Sequence, residues 1–302
     1  MTIGRLSVPA PSRVPSARAV LELLKPITWF PPMWAFMCGT VSSGAAAEGR
    51  WPLILGGVML AGPLLCATSQ AVNDWYDREV DAINEPHRPI PSGRIPGRWG
   101  LYVALAWSLL SLLVAFALGP WVLAAAVPGL ALAWMYSAPP ARLKMNGWWG
   151  NSAVAACYEG LPWITGAAVM GGTLPDARVF ALAALYSAGT HGIMTLNDFK
   201  SIEGDLRMGI GSLPARLGAR RAGVVACLFM ALSQAAVAAL LWYWGLPAYA
   251  AAVAGMLLAQ IALMRRLLRS PRELAPWYNA TGVSLYVLGM LASAVALRTG
   301  SA

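Results

Sequence analysis

Apolar positions run along this chain in long unbroken blocks rather than in alternation. Residues 26–47, 51–73, 99–141, 179–197, 222–264 and 274–297 contain no Asp, Glu, Lys or Arg, and 145–175 contains only Glu159. A helix needs about 20 apolar residues to cross the hydrocarbon core. Continuous runs, unlike period-two patterns, point to helices rather than a lipid-embedded barrel. Two blocks, 99–141 and 222–264, are 43 residues long and suit helical hairpins. They break at Gly119-Pro120 and at Gly245-Leu246-Pro247, both turn-forming sequences. The pattern predicts an all-α polytopic membrane protein with nine transmembrane helices.

Composition sharpens this reading. Hydrophobic residues make up 58% of the 302 and charged residues 12%, about half the charge of a soluble domain, and mean hydropathy is +0.58. Soluble, disordered and disulfide-scaffold classes are excluded. The 22 basic residues orient the chain. Nineteen fall in the N-terminal tail (Arg5, Arg13, Arg18, Lys25) and in the loops after the second, fourth, sixth and eighth helices. Only Arg50, Arg178 and Arg298 fall on the other side. The positive-inside rule then predicts a cytoplasmic N-terminus. The net charge of +9 is thereby assigned to topology and to anionic lipid, with no nucleic-acid partner.

The 13 acidic residues are concentrated: seven lie in two nine-residue stretches on that same side, and an eighth, Glu85, follows just after the first. Asn73-Asp74-Trp75-Tyr76-Asp77-Arg78-Glu79-Val80-Asp81 follows the second helix, and Asn197-Asp198-Phe199-Lys200-Ser201-Ile202-Glu203-Gly204-Asp205 follows the sixth, 124 residues later. The 43-residue blocks share nearly the same register. The chain thus divides into a tail (1–25) and an intramembrane domain (26–302). Within that domain the first four-helix repeat covers about 26–144, the second about 145–266, and the ninth helix about 274–297.

On an α-helix, positions i, i+3 and i+7 lie within about 60° of one another. That spacing places Asp74, Asp77 and Asp81 on one face, and Asp198, Ser201 and Asp205 on another. Aligned carboxylates repel unless a cation joins them. Oxygen-only ligands favour Mg²⁺, which characteristically shares substrate phosphates. Arg78 and Lys200 within the stretches, and Arg142 and Lys144 beyond Tyr136, are candidates to clamp a diphosphate. Solvated loop acids and a transporter cation pathway are the alternatives, but transporter acids favour mid-membrane positions on broken helices. Glu159, an intramembrane acid, and His191, about two turns before Asp198, are candidates to line a substrate cavity.

Paired Asn-Asp stretches after the second and sixth of nine helices resemble the UbiA-type membrane prenyltransferases. The segments LKPITWFPPMWAFMCG (24–39), NDWYDREVDAINEPHRPIPSGRIPG (73–97), LNDFKSIEGDLRMGIG (196–211) and PWYNATGVSLYVLG (276–289) are similar to the chlorophyll synthase branch, and within it to bacteriochlorophyll-directed members. The resemblance implies Mg²⁺-dependent transfer of a phytyl or geranylgeranyl group from its diphosphate to the propionate of bacteriochlorophyllide. Chlorophyllide-, quinone- or haem-directed prenyl transfer is the alternative within the same fold. It implies that Asn73 and Asp77 hold one Mg²⁺ with Asp74 and Asp81 in support, that Asp198 and Asp205 serve a second, and that Asp77, Asp198, Lys144 and Arg78 carry catalysis. Arg142, Lys200 and Tyr136 join Arg78 and Lys144 around the diphosphate. Ser201 stands where many relatives have Asp, with Asp198 and Glu203 near enough to compensate. Membrane lipid and pigment–protein assemblies are the further partners this implies.

Overall fold

The computed structural model describes residues 14–300; Arg5 and Arg13 of the tail lie outside the described residues. A short helix, α1 (Ala17–Leu23), opens the described chain, with the Ser16 hydroxyl accepting from the Ala19 N–H at 3.2 Å. It buries Ala19 and Leu23. Its Glu22 is tied by two Arg94 hydrogen bonds of 2.5 and 2.8 Å, which hold the Glu22 carboxyl below the usual carboxylate range. Then follow α2 (Phe30–Ser42), α3 (Trp51–Asn84), α4 (Trp99–Leu118), α5 (Pro120–Ser137), α6 (147–171) and α7 (Ala177–Asn197). Two short helices, α8 (Ile202–Met208) and α9 (Leu213–Leu217), lead to α10 (Ala219–Tyr243), α11 (Pro247–Leu267) and α12 (Pro271–Gly300).

Seven of the helical segments among the described residues are long and apolar enough to cross a membrane: α3, α4, α5, α7 continued into α8, α10, α11 and α12. Nine are expected from the sequence. The two outside this set have identifiable features. Helix α2 has 13 residues, about 20 Å at 1.5 Å per residue, against a core of roughly 30 Å. Helix α6 carries Asn151, Ser152, Glu159 and Thr165 among its apolar positions and contains a π turn at Ala156–Gly160. The hairpin turns fall where the sequence places them. Gly119 adopts φ +127°, a value L-residues avoid, and Pro120 opens α5 at the position where a missing N–H costs nothing.

Helix α3 crosses Pro63 through a π segment, Leu60–Cys66. Proline cannot donate to the helical ladder, and the π segment carries the helix past it; the Pro63 carbonyl also accepts from the Trp107 indole at 3.1 Å. Elsewhere the helices close on small residues, as apolar bundles in lipid do. A Cβ on Gly39 of α2 would lie 1.9 Å from the Trp163 carbonyl oxygen, and one on Gly166 of α6 would lie 2.0 Å from the Phe36 carbonyl oxygen. The two backbones therefore touch. Trp163 stacks on Tyr186 at 5.5 Å, and Tyr186 meets Tyr286 edge-on at 5.3 Å, linking α6, α7 and α12. Helix α12 also packs against α2. At one end of the bundle the loop after α5 is stitched to the loop after α8, with the Gly147 N–H donating to the Gly211 carbonyl at 2.8 Å and the Gly211 N–H to the Met145 carbonyl at 3.0 Å. That junction ties the loop carrying Lys144 to the loop that follows the second acid stretch.

Candidate active site

The first acid stretch stays helical, since α3 continues to Asn84. Its acids divide between two jobs. Asp74 is buried, accepts from Lys25 Nζ at 2.6 Å and lies 3.5 Å from Arg88 Nη1; Arg88 also pairs with Asp81 at 2.8 Å. Burial works against the Arg88 charge, but the Asp74 and Asp81 carboxylates outweigh it and raise its pKa above the ordinary arginine value. Asp77 turns the other way, pairing with Lys144 from the loop after α5. Asn73 donates to Asp77 Oδ2 at 2.9 Å and to Ser137 Oγ at 3.2 Å.

The second stretch does not keep the helical face that the spacing predicts. Helix α7 ends at Asn197, Asp198–Ser201 form a 3₁₀ turn, and α8 restarts at Ile202. The Ser201 hydroxyl lies 3.0 Å from the Asp198 carbonyl, a local bond of the kind that competes with regular helix. It is also 3.0 Å from Asp205 Oδ2, which Ser212 Oγ approaches to 2.5 Å. Asn151 of α6 donates to Asp198 Oδ2 at 3.1 Å and to Thr195 Oγ1 at 3.2 Å. Asn279 of α12 donates to Asn197 Oδ1 at 2.8 Å. Glu203 pairs with Arg272 at the surface, so it does not stand in for an acid at position 201.

Tyr136 lies within electrostatic reach of Asp77, Asp198 and Asp205, and so sits between the two stretches. The other expected cations are placed differently. Arg78 covers the Trp75 ring at 4.4 Å and donates to the Trp75 carbonyl at 2.8 Å. Its guanidinium is thereby held on its own helix rather than brought onto Asp77. Lys200 is exposed and within electrostatic reach of Asp198. Arg142 is half-buried in a left-handed turn, φ +37°, two residues before Lys144.

From Asn73 and Tyr136 a cavity of about 220 Å³ runs into the bundle past Gln70, Cys66 and Tyr158 to Leu60, Leu161 and Thr165. Its walls are mostly apolar. Gln70 Nε2 donates to the Tyr158 hydroxyl at 3.3 Å. Glu159 lines neither this cavity nor the second groove described below. Successive residues of the π turn point in different directions, and with Tyr158 on the cavity side, Glu159 lies near Cys38 and Tyr286 in the packed interior. His191 also lies outside the central cavity, in a groove between α6 and α7.

Sequence reasoning missed Lys25 and Arg88 as acid partners, and Asn151 as the donor to Asp198. The first two were counted only as topology signals. Asn151 carried a signal, being an amide inside an apolar run. Gln70, one turn before Asn73, carried the same kind of signal for the cavity.

Among the described residues no three His, Cys, Asp or Glu side chains converge on one point. Asn73, hydrogen-bonded to Asp77, lines the apolar cavity, and Tyr136 beside it lies within electrostatic reach of Asp198 and Asp205; these side chains nonetheless offer oxygen donors near its polar end. That set suits Mg²⁺, which takes one or two carboxylates and fills its shell with substrate oxygens and water. The arrangement can hold a charged head at the acid end and a long apolar chain behind it, away from water.

The chain belongs to the UbiA prenyltransferase family, whose model matches residues 30–293. It is 57% identical to the bacteriochlorophyll synthase 33 kDa chain of Cereibacter sphaeroides over 95% of each chain. It is 38% identical to a chloroplastic chlorophyll synthase of Oryza sativa, over 91% of this chain and 76% of that one. A UbiA homolog from Archaeoglobus fulgidus bound to GPP and Mg²⁺ shares the fold, with a TM-score of 0.71, 19% identity, and coverage of 90% of this chain and 99% of that one.

Proposed function

We propose that this protein transfers a phytyl or geranylgeranyl group from its diphosphate to the propionate carboxylate of bacteriochlorophyllide, releasing diphosphate and forming the esterified pigment. The observation that carries the reading is the pair of acid stretches flanking Tyr136, with Asn73 and Tyr136 lining an apolar cavity, in a chain 57% identical to a bacteriochlorophyll synthase chain. The active membrane form has nine spans in two four-helix repeats plus one, with its N-terminus in the cytoplasm, in a bacterial inner or intracytoplasmic membrane. The 19-to-3 division of basic residues supports that orientation.

Asn73, Asp77, Asp198 and Asp205 hold Mg²⁺. Asp74 and Asp81 act one step back, held by Lys25 and Arg88. Bound Mg²⁺ supplies charge neutralisation at the leaving diphosphate. Lys144, already on Asp77, presents an ammonium to the same oxygens, and Tyr136 offers a hydroxyl between the two stretches. Leu60, Leu161 and their neighbours hold the isoprenoid chain and keep water from the allylic cation. The nucleophile needs no base: a carboxylic acid with a reference pKa of about 4 is ionised at neutral pH. Pigment–protein assemblies are the natural receivers of so apolar a product.

The test is direct. Membranes containing the protein are incubated with bacteriochlorophyllide and either diphosphate, with Mg²⁺ or with EDTA, and esterified pigment is separated by chromatography. Mg²⁺-dependent ester is expected; its absence with both diphosphates overturns the reading.

A further inference from the structure

A second opening lies on the opposite flank of α6. It is a groove of about 400 Å³ between α6 and α7, walled by Gly160, Ile164, Phe180, Ala184 and Ser187, with His191 at one end. The walls are mostly small, and the exposed Ser152, Ala184 and Ala188 lie within the apolar blocks, so the groove opens sideways into lipid. The helices approach closely at its floor, where a Cβ on Gly160 would lie 3.3 Å from Ser187.

His191 is the polar feature that this packing leaves unexplained. It is 2% exposed, and its Nε2 has no hydrogen-bond partner. Its Nδ1 lies 3.2 Å from the Ser152 hydroxyl, and its ring is stacked by Phe229 at 4.4 Å and by Trp148 at 5.6 Å. With Nδ1 protonated and donating to Ser152, the Nε2 lone pair is left buried and without a partner beside the groove, so an occupant of the groove reaches it only as the neighbouring side chains part. A buried acceptor without a partner is costly, and in an apolar groove a neutral imidazole held by a second hydrogen bond is how a metal ligand is built.

We propose that this groove docks the tetrapyrrole acceptor, with His191 Nε2 as axial ligand to its central Mg²⁺. The inference rests on the esterification reading above, and it adds where the acceptor sits. The macrocycle is flat, apolar on both faces and delivered from lipid, which matches a laterally open cleft with small side chains on its walls. Trp148 and Phe229, stacked on the imidazole, hold its plane. The reach is right as well. His191 precedes Asp198 by seven residues, about 10 Å along the helix at 1.5 Å per residue, so an acid arm on the rim of a ring held at His191 extends toward the Asp198 end of the site. Ser152 is the positioning residue that fixes the imidazole tautomer.

The test compares bacteriochlorophyllide with its metal-free counterpart, titrated into the purified full-length protein in detergent and followed by absorption. The wild-type protein is expected to bind the Mg²⁺ pigment at least about tenfold more tightly than the metal-free one, and to shift the absorption band that reports axial coordination. His191→Leu is expected to erase both the preference and the shift while leaving the KM for prenyl diphosphate within about twofold. Free imidazole is expected to restore the shift in His191→Gly. Equal binding of both pigments by the wild-type protein, or an unchanged band shift in His191→Leu, overturns the proposal. The wild-type titration alone decides the matter if the variants do not fold. Wild-type protein that esterifies bacteriochlorophyllide but shows no axial-coordination shift sinks the His191 site alone; wild-type protein that forms no ester sinks the function on which it rests.

Discussion

Asn151→Ala isolates what one hydrogen bond contributes to the second acid stretch. Asn151 is buried and its amide nitrogen is 3.1 Å from Asp198 Oδ2 and 3.2 Å from Thr195 Oγ1. Among the described residues no basic side chain forms an ion pair with Asp198, so this neutral donor is what orients the carboxylate. A hydrogen bond to a charged group contributes about 1.5–3 kcal/mol. At about 1.4 kcal/mol per decade, losing it corresponds to roughly 10- to 150-fold weaker binding of a cation that needs Asp198 in place. Losing an outer partner of a metal ligand costs roughly 10- to 100-fold by the same reasoning. The assay is ester formation across a Mg²⁺ titration at saturating prenyl diphosphate. The half-saturating Mg²⁺ concentration should rise by that factor, with much of the maximal rate recovered at high Mg²⁺. An unchanged half-saturation would refute the argument that Asn151 positions Asp198 for a metal.

Three further outcomes follow from the packing and the charges. Arg88→Ala strands Asp81 and weakens the cluster around buried Asp74. Breaking a buried pair costs about 3–5 kcal/mol, and with Arg88 29% exposed the cost falls to about 1–3 kcal/mol, visible as a Tm lowered by several degrees in detergent; an unaltered Tm contradicts it. Gly166→Ala drives a methyl into the Phe36 carbonyl and should destabilise by at least about 1–3 kcal/mol, whereas Gly255→Ala, with open space around it, should be neutral or stabilising; equal Tm values for the two would refute the close α2–α6 contact. Ser201→Asp replaces a donor to Asp205 with a like charge, so the half-saturating Mg²⁺ concentration should move, and an unmoved titration removes position 201 from the metal site.

The helices were legible because lipid imposes one rule on every span: continuous apolar residues between turn-forming breaks. Gly119-Pro120 and Gly245-Leu246-Pro247 fall at the hairpin turns for that reason. The short α2 and the interrupted α6 were harder, because composition does not reveal where a π turn or an early stop divides an apolar block. The acid stretches were legible through their repetition, and the cations were not. Arg78 and Lys144 look alike in sequence, yet only Lys144 meets Asp77, because Arg78 finds Trp75 on its own helix. Lys25 and Arg88 reach Asp74 across 49 and 14 residues of chain, and their usefulness as topology markers concealed the role. A side chain's direction depends on its helix neighbours, and spacing along the chain does not encode them.

The two acid stretches, so similar in sequence, are therefore unequal in charge balance. Asp74, Asp77 and Asp81 are met by Lys25, Lys144 and Arg88, so the first stretch is close to neutral on its own. Asp198 and Asp205 are met by Asn151, Ser201 and Ser212, none of which carries charge, while Lys200 stays exposed. Neutral donors fix two carboxylates in place without cancelling them. A low-dielectric surrounding makes uncancelled charge costly, so the second stretch has the greater need for an external cation. In the first stretch the Lys144 ammonium is already matched by Asp77, and under the proposed function it is the group that would meet the anion the cation brings with it.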